Sequence, residues 1–242
     1  ESETVKFAAS SLIKLSKMAD EGKINNRWGH DYACGLKEAV RKGAILTTTN
    51  PQLVDVARKE EPAVCDPIKA DIKQAHASAG PDDLAKMITM KIVLENIKIL
   101  RPIFDITNGE MGYVSLQLNP KNATNPAPMI ADAKEIYRHL ADEVGAVPNM
   151  VFKVPGTKAG IEVAEALTGL GIGVNVTLNF TVAQQLAFSA AIERGGKAKV
   201  SFLTEMNGRL DDPVAAELAA LGVETAKEIS SWTSGKVMTR SY

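Results

Sequence analysis

The sequence predicts an α/β fold built on a parallel sheet. Three observations carry this. Six short apolar, β-branched segments recur along the 242 residues, and helical patterns separate them. No linker, low-complexity segment or fixed-period repeat cuts the chain, so residues 1–242 read as one domain. A single α/β barrel commonly uses this much chain, but an eight-stranded barrel needs two strands more than the six counted here. The sheet is therefore either open and six-stranded, or a barrel whose strands 7 and 8 lie beyond Tyr242.

The elements follow in order. Thr4-Val5-Lys6-Phe7-Ala8 reads as strand one. Helical stretches over 11–22 and 31–43 come next, joined by Gly22-Lys23-Ile24-Asn25-Asn26. Ala44-Ile45-Leu46-Thr47-Thr48 is strand two. Asn50-Pro51 then opens a helix over 51–60, the amide capping and the proline at the first helical position. Further helices are expected over 66–77 and 81–107. Pro81-Asp82-Asp83 marks the start of the latter with acids in its first turn, and Leu84, Met87, Ile88, Ile92, Val93 and Ile97 carry its apolar face. Strand three is Gly112 to Gln117. Met129, Ile130, Ala133, Ile136, Tyr137 and Leu140, spaced at three and four, make the next helix. Strand four is Met150 to Val154, followed by a helix through Ile161, Val163, Ala164 and Leu167. Strand five is Gly173 to Leu178 and strand six Lys199 to Leu203. Two helices rich in Ala, Glu and Leu, over 212–221 and 223–242, end the chain.

Composition narrows the function classes. The net charge is -1, from 28 Lys+Arg against 29 Asp+Glu, so no basic footprint for nucleic acid is present. A 45% apolar and 24% charged composition belongs to a globular chain. No run of about 18 apolar residues offers a membrane span. Glu1-Ser2-Glu3 is acidic and no apolar signal segment follows it, so a cytoplasmic location is expected. Cys34 and Cys65 read as buried or half-buried thiols. His30, His76 and His139 lack metal-ligand spacing, so no metal site is expected.

Four segments carry residues able to do chemistry. Lys153 lies within the apolar Val151-Phe152-Lys153-Val154, just before Pro155-Gly156. It is either a strand-end lysine whose head reaches solvent or a nucleophile whose neutral amine is favoured by desolvation. The carboxyl end of a strand is where barrel enzymes keep their chemistry. The second segment is Thr47-Thr48-Thr49-Asn50-Pro51, of which capping explains Asn-Pro and only part of the threonine run. The third comprises Asn175 and Thr177 on strand five, with Gln117 on strand three. These are polar side chains that either pair with one another or face a ligand. The fourth is Thr204 to Asp211, where Arg209 after Gly208 could grip a phosphate with two parallel hydrogen bonds.

Thr48-Thr49-Asn50-Pro51, Lys153-Val154-Pro155-Gly156-Thr157, the run Asn175 to Gln184 and Gly208-Arg209 together resemble the transaldolase family, which includes the fructose-6-phosphate aldolases. The order and spacing of the four blocks match, from about residue 44 to 211. The resemblance implies a (β/α)8 TIM barrel with extra helices and class I aldolase chemistry. It implies Lys153 as the Schiff-base lysine, Thr177 as holder of the catalytic water and Gln117 as a further catalytic residue. Thr49, Asn50 and Asn175 are implied to bind the substrate, the two asparagines through hydroxyls of the ketose. Thr204 and Arg209 are implied to hold its phosphate.

The chain also departs from that family. The family's general acid/base is an aspartate on strand one; with Thr4 to Ala8 as that strand, Ala9 takes its place, and Asp31 and Asp20 are the alternatives. Gln117 stands where transaldolases have glutamate and the aldolases glutamine. Met206 stands where phenylalanine or tyrosine is usual. The family's second phosphate-binding arginine belongs to strand seven. The expected activity is transfer of a dihydroxyacetone unit from a ketose phosphate, or an anionic analogue such as a sulfo-sugar, to an aldehyde. The alternatives are a stand-alone aldolase, or a sugar-phosphate-binding member impaired by Ala9. No cofactor is expected. The expected partners are the phosphorylated or sulfonated ketose, the aldehyde acceptor and, as a homo-oligomer, further copies of the chain, with neither nucleic acid nor membrane.

Overall fold

The computed structural model describes residues 10–32, 34–226 and 228–241. The predicted strand Thr4 to Ala8, and Ala9 with it, lie outside these residues. In chain order the elements are α1 (Ser11–Asp20), β1 (Trp28–His30), α2 (Leu36–Arg41), β2 (Ala44–Thr48), α3 (Pro51–Glu60), α4 (Pro62–Ala75), α5 (Pro81–Ile106), β3 (Tyr113–Gln117), α6 (Pro126–Val144), β4 (Met150–Pro155), α7 (Lys158–Gly169), β5 (Gly173–Asn179), α8 (Val182–Gly195), β6 (Phe202–Glu205), α9 (Asp211–Ala220) and α10 (Ile229–Ser241). Short 3₁₀ turns occupy Pro120–Asn122 and Asn207–Leu210.

The strands form a six-stranded sheet in sequential order, β1-β2-β3-β4-β5-β6. The pairs β1–β2, β2–β3 and β5–β6 are parallel. Sequential parallel strands, each followed by a helix, are the repeating unit of a (β/α) barrel. The described residues supply six of the eight strands such a barrel needs.

The chain divides into two compact units. One holds residues up to Gln117 together with Asp132–Phe152; the other holds Leu118–Ala131 and the chain from Lys153 onward. In the first, Val93, Ile97 and Leu100 of α5 and Val114 of β3 are fully buried, so the long helix lays one apolar stripe on the sheet. Asn149 joins the two layers, its Nδ2 donating to the carbonyls of Ile97 (3.2 Å) and Gly112 (2.6 Å). Cys34 and Cys65 are free, buried thiols in one cluster with Val54, Ala57 and Ile92. Burial, with the charges of Glu61 and Cys65 adding to it, pushes the Cys34 thiol up to about 11, so it stays protonated near neutral pH. In the second unit, Val163 and Leu167 of α7, Val174 and Val176 of β5, and Phe188 and Ala191 of α8 make the core.

Several boundaries differ from the sequence expectation. Strand six starts at Phe202 rather than Lys199, because the Val174 amide donates to the Ser201 hydroxyl (3.2 Å) instead of a backbone carbonyl. The β5–β6 ladder therefore begins at Asn175↔Phe202. The helix expected over 31–43 is confined to Leu36–Arg41, since Gly35 at its N-cap takes a left-handed φ of 66° that a helix interior does not accept. Helix α8 has a weak apolar period and is defined at its start by capping: Thr181 Oγ1 accepts from Gln184 N (3.1 Å) and Gln184 Oε1 accepts from Phe180 N (3.1 Å).

Candidate active site

Strand β2 has two neighbours. Trp28–His30 pairs along one edge and Tyr113–Gln117 along the other. The residue that follows the Trp28–His30 strand is Asp31. Trp28-Gly29-His30 carries no β-branched run; parallel pairing, not propensity, makes it a strand. The backbone around Asp31 is pinned. Thr47 Oγ1 lies within hydrogen-bonding reach of the His30 carbonyl (3.1 Å) and the Tyr32 carbonyl (2.8 Å), on either side of Asp31. His30 Nε2 meets the Cys34 carbonyl at 2.7 Å. Thr47 is itself buried, and Asp31 is exposed. Thr47 thus has a structural task that the sequence did not disclose.

At the end of β2, Thr49 is buried and extends the pairing with β3, its amide donating to the Ser115 carbonyl (3.3 Å). Asn50 caps α3 as expected: its Oδ1 accepts from Leu53 N at 2.9 Å, with Pro51 at N1. Capping occupies Oδ1 and so orients the amide. Gln117 is the last residue of β3 and is half-buried.

Lys153 lies on β4 between Phe152 and Val154, both fully buried, and is itself half-buried. Its carbonyl accepts from Leu118 N (3.2 Å), and Gly156 N donates to the Thr177 carbonyl (2.7 Å), which fixes the strand end against β5. The turn after Lys153 needs glycine for a steric reason. Leu178 adopts a left-handed φ of 57° beside a register shift in the β5–β6 ladder. A Cβ on Gly156 would sit 2.3 Å from the Leu178 carbonyl oxygen. Gln184 Nε2 closes the turn from the helix side, donating to the Gly156 carbonyl at 3.0 Å. Gly156→Ala should therefore force the two backbones apart. The expected cost is about 1–3 kcal/mol, the usual price of overpacking, or a fall in melting temperature of roughly 2–10 °C by differential scanning calorimetry. An unchanged melting temperature would show that the contact is loose.

On β5 and β6 the polar side chains pair. Thr204 Oγ1 donates to Asn175 Oδ1 at 2.7 Å, and Thr177 Oγ1 lies 3.8 Å from Met206 Sδ, a weak acceptor. Asn175 and Thr177 are buried, while Thr204 and Met206 are half-buried. Gln185, also buried, donates to Glu205 Oε2 at 3.1 Å. Thr204 and Glu205 belong to the strand rather than to the loop after it. Arg209 is exposed in the 3₁₀ turn Asn207–Leu210. Among the described residues, no group of three or more His, Cys, Asp or Glu side chains could hold a metal ion, and no helix is long and apolar enough to cross a membrane.

Sequential β/α units with a lysine, amides and hydroxyls at the carboxyl ends of the strands have the layout of the β/α-barrel enzymes. Comparison with known proteins narrows the class. The family model described as transaldolase/fructose-6-phosphate aldolase matches residues 35–241, and the chain belongs to that family. Transaldolase 1 of Streptomyces avermitilis is 31% identical over 91% of this chain and 60% of its own length. The transaldolase of Thiobacillus denitrificans is 30% identical over 78% of this chain and 53% of its own. That of Helicobacter pylori is 31% identical over 75% and 55%. The chain thus spans little more than half the length of these relatives.

Proposed function

We propose that this chain performs transaldolase-type chemistry on a ketose phosphate or a similar anionic ketose, with Lys153 as the nucleophile. The observation that carries the reading is the placement of Lys153. It is half-buried between Phe152 and Val154, on the strand end that Gly156, Leu178 and Gln184 hold in place, in a chain of this family. The Lys153 amine adds to the ketone carbon and loses water to give an iminium. The C3–C4 bond then breaks, its electron pair moving into the iminium to leave an enamine, while the C4 hydroxyl proton passes to a base and the C4 fragment departs as an aldehyde. An acceptor aldehyde takes the enamine carbon, and hydrolysis releases the new ketose and the free amine.

Asp31 is the base in this scheme. It follows the strand paired to β2, where the family keeps its strand-one aspartate, and Thr47 holds the carbonyls on both sides of it. The impaired reading, in which Ala9 takes the place of the strand-one aspartate, is the alternative to this assignment. Asn50 has its Oδ1 taken by the Leu53 amide, which turns its Nδ2 away from the cap and suits it to a hydroxyl oxygen of the retained three-carbon unit, while Asn175 is oriented by Thr204. Thr204 commits its one proton to Asn175 and so orients that amide, which leaves the anionic end to Arg209. Thr177 holds water, with Met206 beside it, and Gln117 serves the same end of the sheet. A charged sugar phosphate does not cross a bilayer unaided, which goes with a cytoplasmic site of action.

A stand-alone aldolase is the second reading, favoured by Gln117. The test for both is incubation with fructose 6-phosphate and borohydride, followed by peptide mass spectrometry. A reduced three-carbon adduct on the peptide containing Lys153 is expected. Product analysis with and without an added aldehyde acceptor separates transfer from simple cleavage. No adduct with fructose 6-phosphate or other ketose phosphates and sulfonates, or an adduct on another lysine, would refute the assignment.

A further inference from the structure

The turn that carries Arg209 is tied down at both ends by one helix. Asn207, two residues before Arg209, meets Ser234 Oγ of α10 at 3.0 Å through Oδ1, and that hydroxyl shares its one proton with the Ser230 carbonyl at 2.9 Å. Asp211, two residues after it, accepts at Oδ1 from the Ser231 amide (2.8 Å) and at Oδ2 from the Ser231 hydroxyl. Ser231 and Ser234 are three residues apart, hence neighbours on one face of the helix. The Ser231 amide lies in the first turn of α10, where amides lack an intrahelical acceptor and the helix end favours negative charge. The Asp211 carboxylate therefore caps α10 and fixes the turn in the same interaction. Gly235 lets the helix close on the turn, since a Cβ there would already stand 3.3 Å from Asn207 Nδ2. The Arg209 amide donates to the Met206 carbonyl (3.1 Å), which leaves the turn little freedom between its two anchors.

An exposed arginine ordinarily loses much side-chain and loop entropy when it grips an anion, and ordering its backbone beforehand lowers that cost. We propose that Ser231 and Ser234, acting through Asp211 and Asn207, are positioning residues that preset the Arg209 turn for the anionic group of the substrate. This deepens the proposed function and rests on Arg209 as the anion ligand in that reading. The serines touch no substrate atom, so their contribution lies in binding and not in the chemical steps at Lys153.

The experiment titrates inorganic phosphate, and measures KM and kcat for fructose 6-phosphate, in the unaltered chain, Arg209→Ala, Ser231→Ala/Ser234→Ala and Ser231→Thr/Ser234→Thr. Expected is a loss of phosphate affinity of roughly three- to tenfold in the alanine pair, the scale of one or two hydrogen bonds. KM should rise in the same ratio while kcat holds, and the threonine pair, which keeps both hydroxyls, should recover the affinity. Combined with Arg209→Ala, the serine changes should cost nothing more, because they act through that residue. Ser234→Ala alone removes the contact to Asn207 together with the hydroxyl's bond to the Ser230 carbonyl, leaves Ser231 and Asp211 intact, and serves if the pair does not fold by circular dichroism. It should show the same split between KM and kcat. Phosphate affinity unchanged in the alanine pair, or lost equally with and without Arg209, would overturn this inference alone. Phosphate binding untouched by Arg209→Ala would overturn both it and the assignment of Arg209.

Discussion

Lys153→Arg is expected to leave no borohydride-reducible adduct with fructose 6-phosphate and to lower turnover by more than about 10⁴-fold, the scale seen when a covalent nucleophile is removed. Arginine retains a cationic group and a long aliphatic stem, so the half-buried position on β4 keeps much of its packing. It stays protonated, and so cannot attack a ketone. The measurements are intact mass after reduction and single-turnover cleavage of the ketose. A mutant that still forms the adduct would move the nucleophile to another lysine, and the family block around Lys153 would then have a structural meaning only. Far-UV circular dichroism and melting temperature should match the unaltered protein, which separates lost chemistry from lost fold.

Asp31→Asn should behave differently. The Lys153 adduct is expected to form and accumulate, while C–C cleavage slows by about 10²–10⁴-fold, the contribution of a positioned general base. Asparagine cannot accept the C4 hydroxyl proton, but it can occupy the same space beside the backbone that Thr47 holds. Ala9→Asp, made in parallel, should leave cleavage unchanged, because Asp31 holds the role in this scheme. Rapid-quench measurement of aldehyde release checks both. Normal cleavage in Asp31→Asn together with faster cleavage in Ala9→Asp would restore Ala9 to the position of the family carboxylate and return strand one to Thr4 to Ala8.

Much of this molecule is legible without coordinates. Asn50-Pro51 reads as a helix start because a cap is a contact three residues long, and the structure shows that cap at 2.9 Å. The long helix from Pro81 follows from its first-turn acids and apolar period, and ends at Ile106. The lysine block, the Asn175–Thr177 block and Gly208-Arg209 name the family through order and spacing, which the comparison over residues 35–241 bears out. All of these signals are local, or are sums of local signals.

What only the tertiary structure decided depends on partners far apart in sequence. Trp28–His30 has no strand signature of its own and becomes one by pairing with Ala44–Thr48, which sets Asp31 directly after a strand. Leu178 carries a positive φ that no side-chain pattern announces, and its carbonyl crowds position 156, in the turn after β4, where only glycine fits. Thr204 gives its proton to Asn175, 29 residues away, a pairing that no local pattern announces. Ser231 and Ser234 are unremarkable helix residues until α10 is laid on the Arg209 turn. Periodicity and capping report which conformation a segment takes. Which hydroxyl or carboxylate meets which acceptor is set by pairing and packing between distant segments, and that information is absent from any short stretch of the chain.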